Sequence, residues 1–216
     1  MSFVSLNIES PTDAPVKLTR RALAKQRTRE RVLSAARRLF TERGYEGATI
    51  RDIAQAAGMS TGAVFASFSD KSELFDEILT ADYEVIYAQM KQAGANAGTV
   101  EEGVIGMFAV AYGFHVEQLP LLQASIAVSW TRSETAERRN RGHLKHIFAL
   151  LNGVLTRGVE RGELKGDADV KLLAEIIWDV YVANYRRAIF DAWSVEALLS
   201  RLSDQLKVIL AGARVK

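Results

Sequence analysis

Apolar residues recur every three or four positions along most of the chain, and nowhere do they alternate over a strand's length. This pattern predicts an all-α protein of about nine helices. The first helix carries the stripe Val32, Ala36, Leu39 and Phe40 and ends at Gly44. A short second helix starts at Thr49 and bears Ile53, Ala54 and Ala57; Gly58 stops it, and Ser60 or Thr61 caps a third with Val64 and Phe68. Asp70 and Glu73 have the spacing of a capping box, opening a fourth helix through Leu74, Ile78 and Tyr83 toward Met90. The small residues from Gly94 to Gly98 break the pattern. Thr99 with Glu102 then caps a fifth helix from Val100 to about Gln118. Pro120 separates a sixth, running to about Trp130. A seventh opens near Ser133 and ends at Gly162 and Gly166, and the last two run over about 169–190 and 195–213.

The stretch TIRDIAQAAGMSTGAVFASF, Thr49 to Phe68, has the parts of a helix-turn-helix. Small Ala54 and Ala57 let two short helices cross closely, Gly58 supplies the turn, and Ile53, Val64 and Phe68 fill the space between them. The third helix is then free to enter a DNA major groove while its predecessor touches the backbone. Spacing alone also permits a plain helical hairpin in a bundle. Charge favours the first reading. Up to Lys71 there are 12 Lys/Arg against 7 Asp/Glu, whereas the remainder has 16 against 19, so a basic head sits on a mildly acidic body. Such a head suits an anionic partner. The implied organisation is a flexible basic arm over 1–24, a helix-turn-helix domain over 25–71 and a second helical domain over 72–216. Arg20, Arg21, Lys25 and Arg27 in the arm thread a minor groove, attract phosphates, or form only a solvated charge run.

In the second domain the ninth helix lines up Val195, Leu198, Leu199, Leu202, Leu206, Ile209 and Leu210 on one face, which must be buried. The eighth is apolar on more than one side, with Leu172, Leu173, Ile176, Ile177, Val180 and Tyr181. Both helices either close the monomer core or pair with a second copy; the candidates for such an interface are Ile176, Val180, Leu198, Leu202, Leu206 and Ile209. A ligand pocket belongs among helices four to eight, with Phe108, Tyr112, His115, Trp130, Phe148, Trp178 and Tyr181 as candidate lining. As a set these favour an apolar or aromatic molecule. His143 and His146, with His115, lack the carboxylate or cysteine that completes a recognisable metal site, so no metal or other cofactor is expected.

Composition narrows the classes further. The 216 residues contain no cysteine, which excludes disulfides and thiolate catalysis. The N-terminal stretch lacks the cationic and apolar regions of a signal peptide, and apolar runs such as Val104–Phe114 fall short of the roughly 20 residues that span a bilayer. A cytoplasmic location is expected. No Gly-rich phosphate loop, G-x-S-x-G or paired nucleophile supports an enzyme.

The segment RERVLSAARRLFTERGYEGATIRDIAQAAGMSTGAVFASFSDKSELFDEIL, Arg29 to Leu79, resembles the DNA-binding domain of the tetracycline-repressor (TetR) family of bacterial transcription regulators. The resemblance lies in the order of Leu-Phe, Arg-Gly-Tyr, Thr-Ile-Arg-Asp-Ile-Ala, Ala-Gly and Phe-x-Asp-Lys-x-Glu-Leu. It implies a homodimeric regulator, a repressor released from an inverted-repeat operator by a small-molecule effector; control by a protein partner instead of an effector stays open. By the same resemblance Thr49 and Arg51 touch the DNA backbone, and Thr61, Gly62, Ala63, Phe65, Ala66 and Ser67 lie on the recognition helix. Lys71 corresponds to the family's phosphate-binding lysine. The chain departs from the family where Phe65 replaces a frequent tyrosine and where Ala66 and Ser67 replace bulkier residues. Phe65 has no hydroxyl for a phosphate and suits a thymine methyl or a sugar instead.

Overall fold

Helix starts along the chain are fixed by side chains that accept otherwise unpaired backbone N–H groups. Thr19 accepts from Ala22 at the start of α1 (Arg20–Arg43). Thr49 and Asp52 form a reciprocal capping box on α2 (Ile50–Ala56), and Ser60 caps α3 (Thr61–Phe65). Asp70 caps α4 (Lys71–Ala95). A second reciprocal box, Thr99 with Glu102, opens α5 (Val100–Val116), while α6 (Leu119–Val128) has Pro120 in its first turn. The chain continues through α7 (Glu134–Glu160), α8 (Val170–Asp191) and α9 (Val195–Ala211). These elements come from a computed structural model that describes residues 19–130 and 134–215. Among the described residues there is no strand, only an isolated bridge between Leu164 and Arg214.

Two apolar cores organise the helices. The first joins α1, α2, α3 and the front half of α4, with Phe40, Ile53, Val64, Phe68 and Phe75 buried; Leu121 and Ala124 of α6 complete it. The second joins the back half of α4 to α5, α7, α8 and α9 around Phe108, Tyr112, Leu151, Tyr181 and Leu206. Helix α4 therefore belongs to both, and α6 bridges them. Close approach of α7 to α5 depends on Gly158, where an added Cβ would collide with Val100 Cγ2.

Several expectations need adjusting. Arg20 and Arg21 lie in the first turn of α1 and Lys25 in its second, because Thr19 caps the helix ahead of them, so 20–24 is not an arm. Residues 1–18, the rest of the expected arm, and Ser133, the expected opening of the seventh helix, lie outside the described residues. The division at Lys71 falls on the first residue of α4, whose Leu74, Phe75 and Ile78 still pack in the first core. Asp70 accepts from Glu73 N, but the Glu73 carboxylate turns to Ser69 N and Oγ at 2.6 and 2.8 Å, so the box is not reciprocal. Those bonds hold Glu73 below the usual carboxylate range. Helix α4 also runs on past Met90 to Ala95.

Candidate nucleic-acid interface and internal pocket

The turn between α2 and α3 is made at Gly58, whose φ of +65° is a left-handed conformation that side chains strain to adopt. Val64 and Phe68 face inward, while Thr61, Gly62, Phe65 and Ala66 are exposed and Ala63 and Ser67 half-buried. Phe65 is 54% exposed, an unusual place for a large aromatic ring unless something covers it. The presenting surface is held from behind by α1. Arg29 stacks 4.1 Å from the Phe68 ring centroid, donates to the Ser67 carbonyl at 2.6 Å and pairs with Glu77 of α4. Arg31 donates to the Ala57 carbonyl at 2.5 Å, tying the turn to the same helix. Thr49 and Arg51 stand exposed at the start of α2, where hydrogen bonds from Thr49 hold the Asp52 carboxyl below its usual range.

Lys71 is placed at the first turn of α4, but its ammonium is already engaged. It donates to the Tyr45 carbonyl at 2.9 Å and sits 4.1 Å from the Tyr45 ring centroid. The cation thus has a fixed position beside α2 and α3 rather than a free one.

Behind the second core lies a cavity of about 380 Å³, walled by α4, α5, α6, α7 and α8. That is within the usual range for a small-molecule site. Its inner end is polar. His115 Nδ1 lies 2.7 Å from the Tyr185 hydroxyl, which lies 2.6 Å from the Tyr181 hydroxyl and 3.3 Å from the Ala111 carbonyl. Burial pushes the two tyrosines upward and lowers His115 to about 4, so the whole cluster is uncharged near neutral pH. On the α4 wall Tyr83 packs against Tyr87 and His143, and its hydroxyl is buried without a hydrogen-bond partner among the described residues. The remaining wall is mostly apolar, including Ile86, Leu122 and Ile147.

One wall residue reaches beyond the cavity. Asp82 is buried, and both its oxygens meet the Arg37 guanidinium of α1, Oδ2 at 3.0 Å from Nη1 and Oδ1 against Nη2. Arg37 is also 3.4 Å from Gln118 Oε1, another wall residue, and from the Ile78 carbonyl. Burial raises the Asp82 carboxyl and Arg37 opposes that rise.

Of the seven pocket candidates, His115, Trp178 and Tyr181 line the cavity. Phe108 and Tyr112 are fully buried one layer back, Phe108 stacked on Tyr181 and the Tyr112 hydroxyl donating to the Tyr181 carbonyl. Phe148 packs on Trp178. Trp130 is 90% exposed beyond the end of α6 and lies outside the lining of this cavity, because the helix ends before bringing it to the core. His143 and His146 pack beside Tyr83 and Tyr87 on α4. The interface candidates divide likewise. Leu198, Leu202 and Leu206 are fully buried in the monomer core, whereas Ile176 is exposed and Val180 and Ile209 half-buried. Leu172 and Phe190 of α8 and Val208 of α9 extend the exposed apolar surface. Asp82, Tyr83, Tyr185, Gln118 and Arg37 were not singled out by sequence reasoning. For Asp82 a signal existed: Leu74, Ile78, Asp82, Ile86 and Met90 recur every four residues, an acid in an otherwise apolar stripe.

The exposed short helix pair on a basic, braced head defines a helix-turn-helix transcription regulator. Residues 32–78 match the family described as "Bacterial regulatory proteins, tetR family". The HTH-type transcriptional repressor AcnR of Corynebacterium glutamicum is 42% identical over 164 residues, covering 73% of this chain and 81% of that protein. KstR2, an HTH-type transcriptional repressor of Mycobacterium tuberculosis, is 30% identical over 163 residues, covering 73% and 80%. The structure of FadR from Bacillus subtilis, solved with stearoyl-CoA, superposes with a TM-score of 0.68 over 86% of this chain and 99% of that one, at 18% identity. The chain belongs to the TetR family of bacterial transcription regulators. Among the described residues no single helix is long and apolar enough to cross a membrane.

Proposed function

We propose that this chain is a homodimeric repressor that binds an inverted-repeat DNA operator and leaves it when a small apolar or aromatic molecule fills the cavity. The observation that carries the reading is Asp82, which lines the cavity and grips Arg37 of α1, the helix that braces the turn and α3. An occupant that displaces Asp82 or Gln118 acts on the DNA-reading head through one guanidinium. It shifts the equilibrium only if it binds the DNA-incompetent arrangement more tightly than the competent one.

On the DNA side, Thr61, Gly62, Ala63, Phe65, Ala66 and Ser67 meet the major groove. The stretch Ser60–Ser69 contains no Arg, Asn or Gln, so base readout rests on Thr61, Ser67, methyl contacts of Phe65 and Ala66, and DNA shape. Thr49, Arg51 and Lys71 hold phosphates. Arg20, Arg21 and Lys25, exposed at the start of α1, add attraction to the backbone. Dimerisation uses the exposed face of α8, with Ile176, Val180, Leu172 and Phe190, beside Val208 and Ile209 of α9. It sets the two reading heads one helical turn of DNA, about 34 Å, apart or a multiple of that.

The reading is tested by selecting bound duplexes from a random pool at near-physiological salt and sequencing them. Enrichment of an inverted repeat is expected. Binding that enriches no sequence and vanishes at moderate salt would overturn it.

A further inference from the structure

The cavity wall leaves polar groups without hydrogen-bond partners among the described residues, and those at its inner end specify what it takes. Tyr83 presents a buried hydroxyl with no partner, and burial pushes that phenol up to about 12, so it stays a neutral donor. His115 spends Nδ1 on Tyr185, while Nε2 makes no hydrogen bond among the described residues. If Tyr185 donates to Nδ1, Nε2 carries the proton and donates; if Nδ1 donates to Tyr185, the Tyr185 hydroxyl donates to the Ala111 carbonyl and Nε2 accepts. The inner cluster can therefore meet either a hydroxyl or a carbonyl. Unpaired polar atoms in an apolar cavity cost stability, which is recovered by a partner that enters with the complementary group.

Charge sharpens the requirement. No Lys or Arg among the described residues lines the cavity, and the one ionisable acid on its wall, Asp82, already holds Arg37. His115 does not supply the missing cation, because burial keeps its imidazole neutral well below pH 6. A carboxylate brought to the inner end would lose its hydration and find no countercharge there.

Resting on the reading of this cavity as the effector site, we infer that its inner end takes the uncharged hydroxyl or carbonyl of an otherwise apolar molecule, met by His115 and Tyr83. A carboxylate is not the group recognised at that end.

Two matched sets of probes test it on the whole 216-residue chain by isothermal titration: 4-phenylphenol, biphenyl and biphenyl-4-carboxylate, and 1-decanol with decanoate. The expected result is that 4-phenylphenol binds about tenfold or more tightly than biphenyl, the margin one buried hydrogen bond confers. The two carboxylates bind more weakly than the matching phenol and alcohol. In Tyr83→Phe and His115→Phe, checked for folding by circular dichroism, the advantage of phenol over biphenyl collapses while biphenyl still binds. Equal binding of phenol and biphenyl overturns the inference and shows that solvent satisfies the two groups. So does a carboxylate that outbinds its matching phenol or alcohol; in either case the cavity remains a binding site. Saturable binding by no member of either set instead removes the effector-site reading, and this inference with it.

Discussion

The DNA-reading head and the cavity-bearing body are both helical, but they are finished to different degrees. In the head the buried positions are apolar, and the polar side chains around them have partners: Arg29 with Glu77 and Ser67, Arg31 with Ala57, Lys71 with Tyr45. In the body three tyrosine rings, Tyr112, Tyr181 and Tyr185, are buried in the core. The buried side-chain atoms without partners among the described residues, at Tyr83, His143 and Asn152, all belong to its helices α4 and α7. A region whose groups are all satisfied keeps one shape. One that leaves donors unpaired around a void gains from an occupant, and conformational response is drawn from such less satisfied regions.

The contrast is broken most severely by attacking the head's core. Phe40 packs edge-on against Phe75 and against Tyr45, fully buried, so Phe40→Ala is expected to cost about 3–5 kcal/mol in urea denaturation and to abolish DNA binding. If DNA binding survives unchanged, the head does not depend on this core for its shape. In the body the largest effect is expected from pH. His115 has an ordinary value of 6.5 and a folded value of about 4, so between these the unfolded chain binds a proton that the fold refuses. Stability attributable to this residue is complete above pH 6.5 and falls as pH drops, by on the order of 3 kcal/mol near pH 4. Comparing urea midpoints at pH 7 and pH 4.5 for wild type and His115→Phe checks it; the variant loses this component of the slope.

At the junction of the two regions, Asp82→Ala leaves the Arg37 guanidinium half-buried without its counter-charge, with an expected loss of about 1–3 kcal/mol. Replacing both residues with leucine is expected to be closer to neutral, because it removes both charges together. Thermal unfolding of the two variants distinguishes these outcomes. The smallest expected change is on the surface of the head. Lys71→Ala weakens binding to all duplexes and lowers the slope of log affinity against log salt by about 1, with little effect on sequence preference. An unchanged slope would show that the lysine only braces Tyr45.

How far each region could be read from sequence follows from the same contrast. The head was legible because its signals are local: Thr49 with Asp52, Gly58 at the turn, and Val64 with Phe68 lie within twenty residues. The body depends on residues far apart in the chain. Tyr83, His115 and Tyr185 meet only after α4, α5 and α8 pack, and an aromatic stripe does not reveal whether a ring faces a neighbour or a void. Phe108 and Tyr112 therefore looked like lining and became the layer behind it. The leucines of α9 were equally ambiguous between a core and a partner; their full burial within one chain assigns them to the core.

The claim that joins the regions is that filling the cavity is felt in the head through Arg37 and Asp82. Ile126→Trp, a small-to-large change on the cavity wall in α6, serves as a built-in occupant. Operator affinity, measured by fluorescence anisotropy on the selected inverted repeat, is expected to fall at least tenfold in this variant. In the Arg37→Leu/Asp82→Leu background the same substitution is expected to change it little. Operator affinity that stays at the wild-type value in Ile126→Trp, with the cavity shown to be filled by loss of 4-phenylphenol binding, would contradict the account.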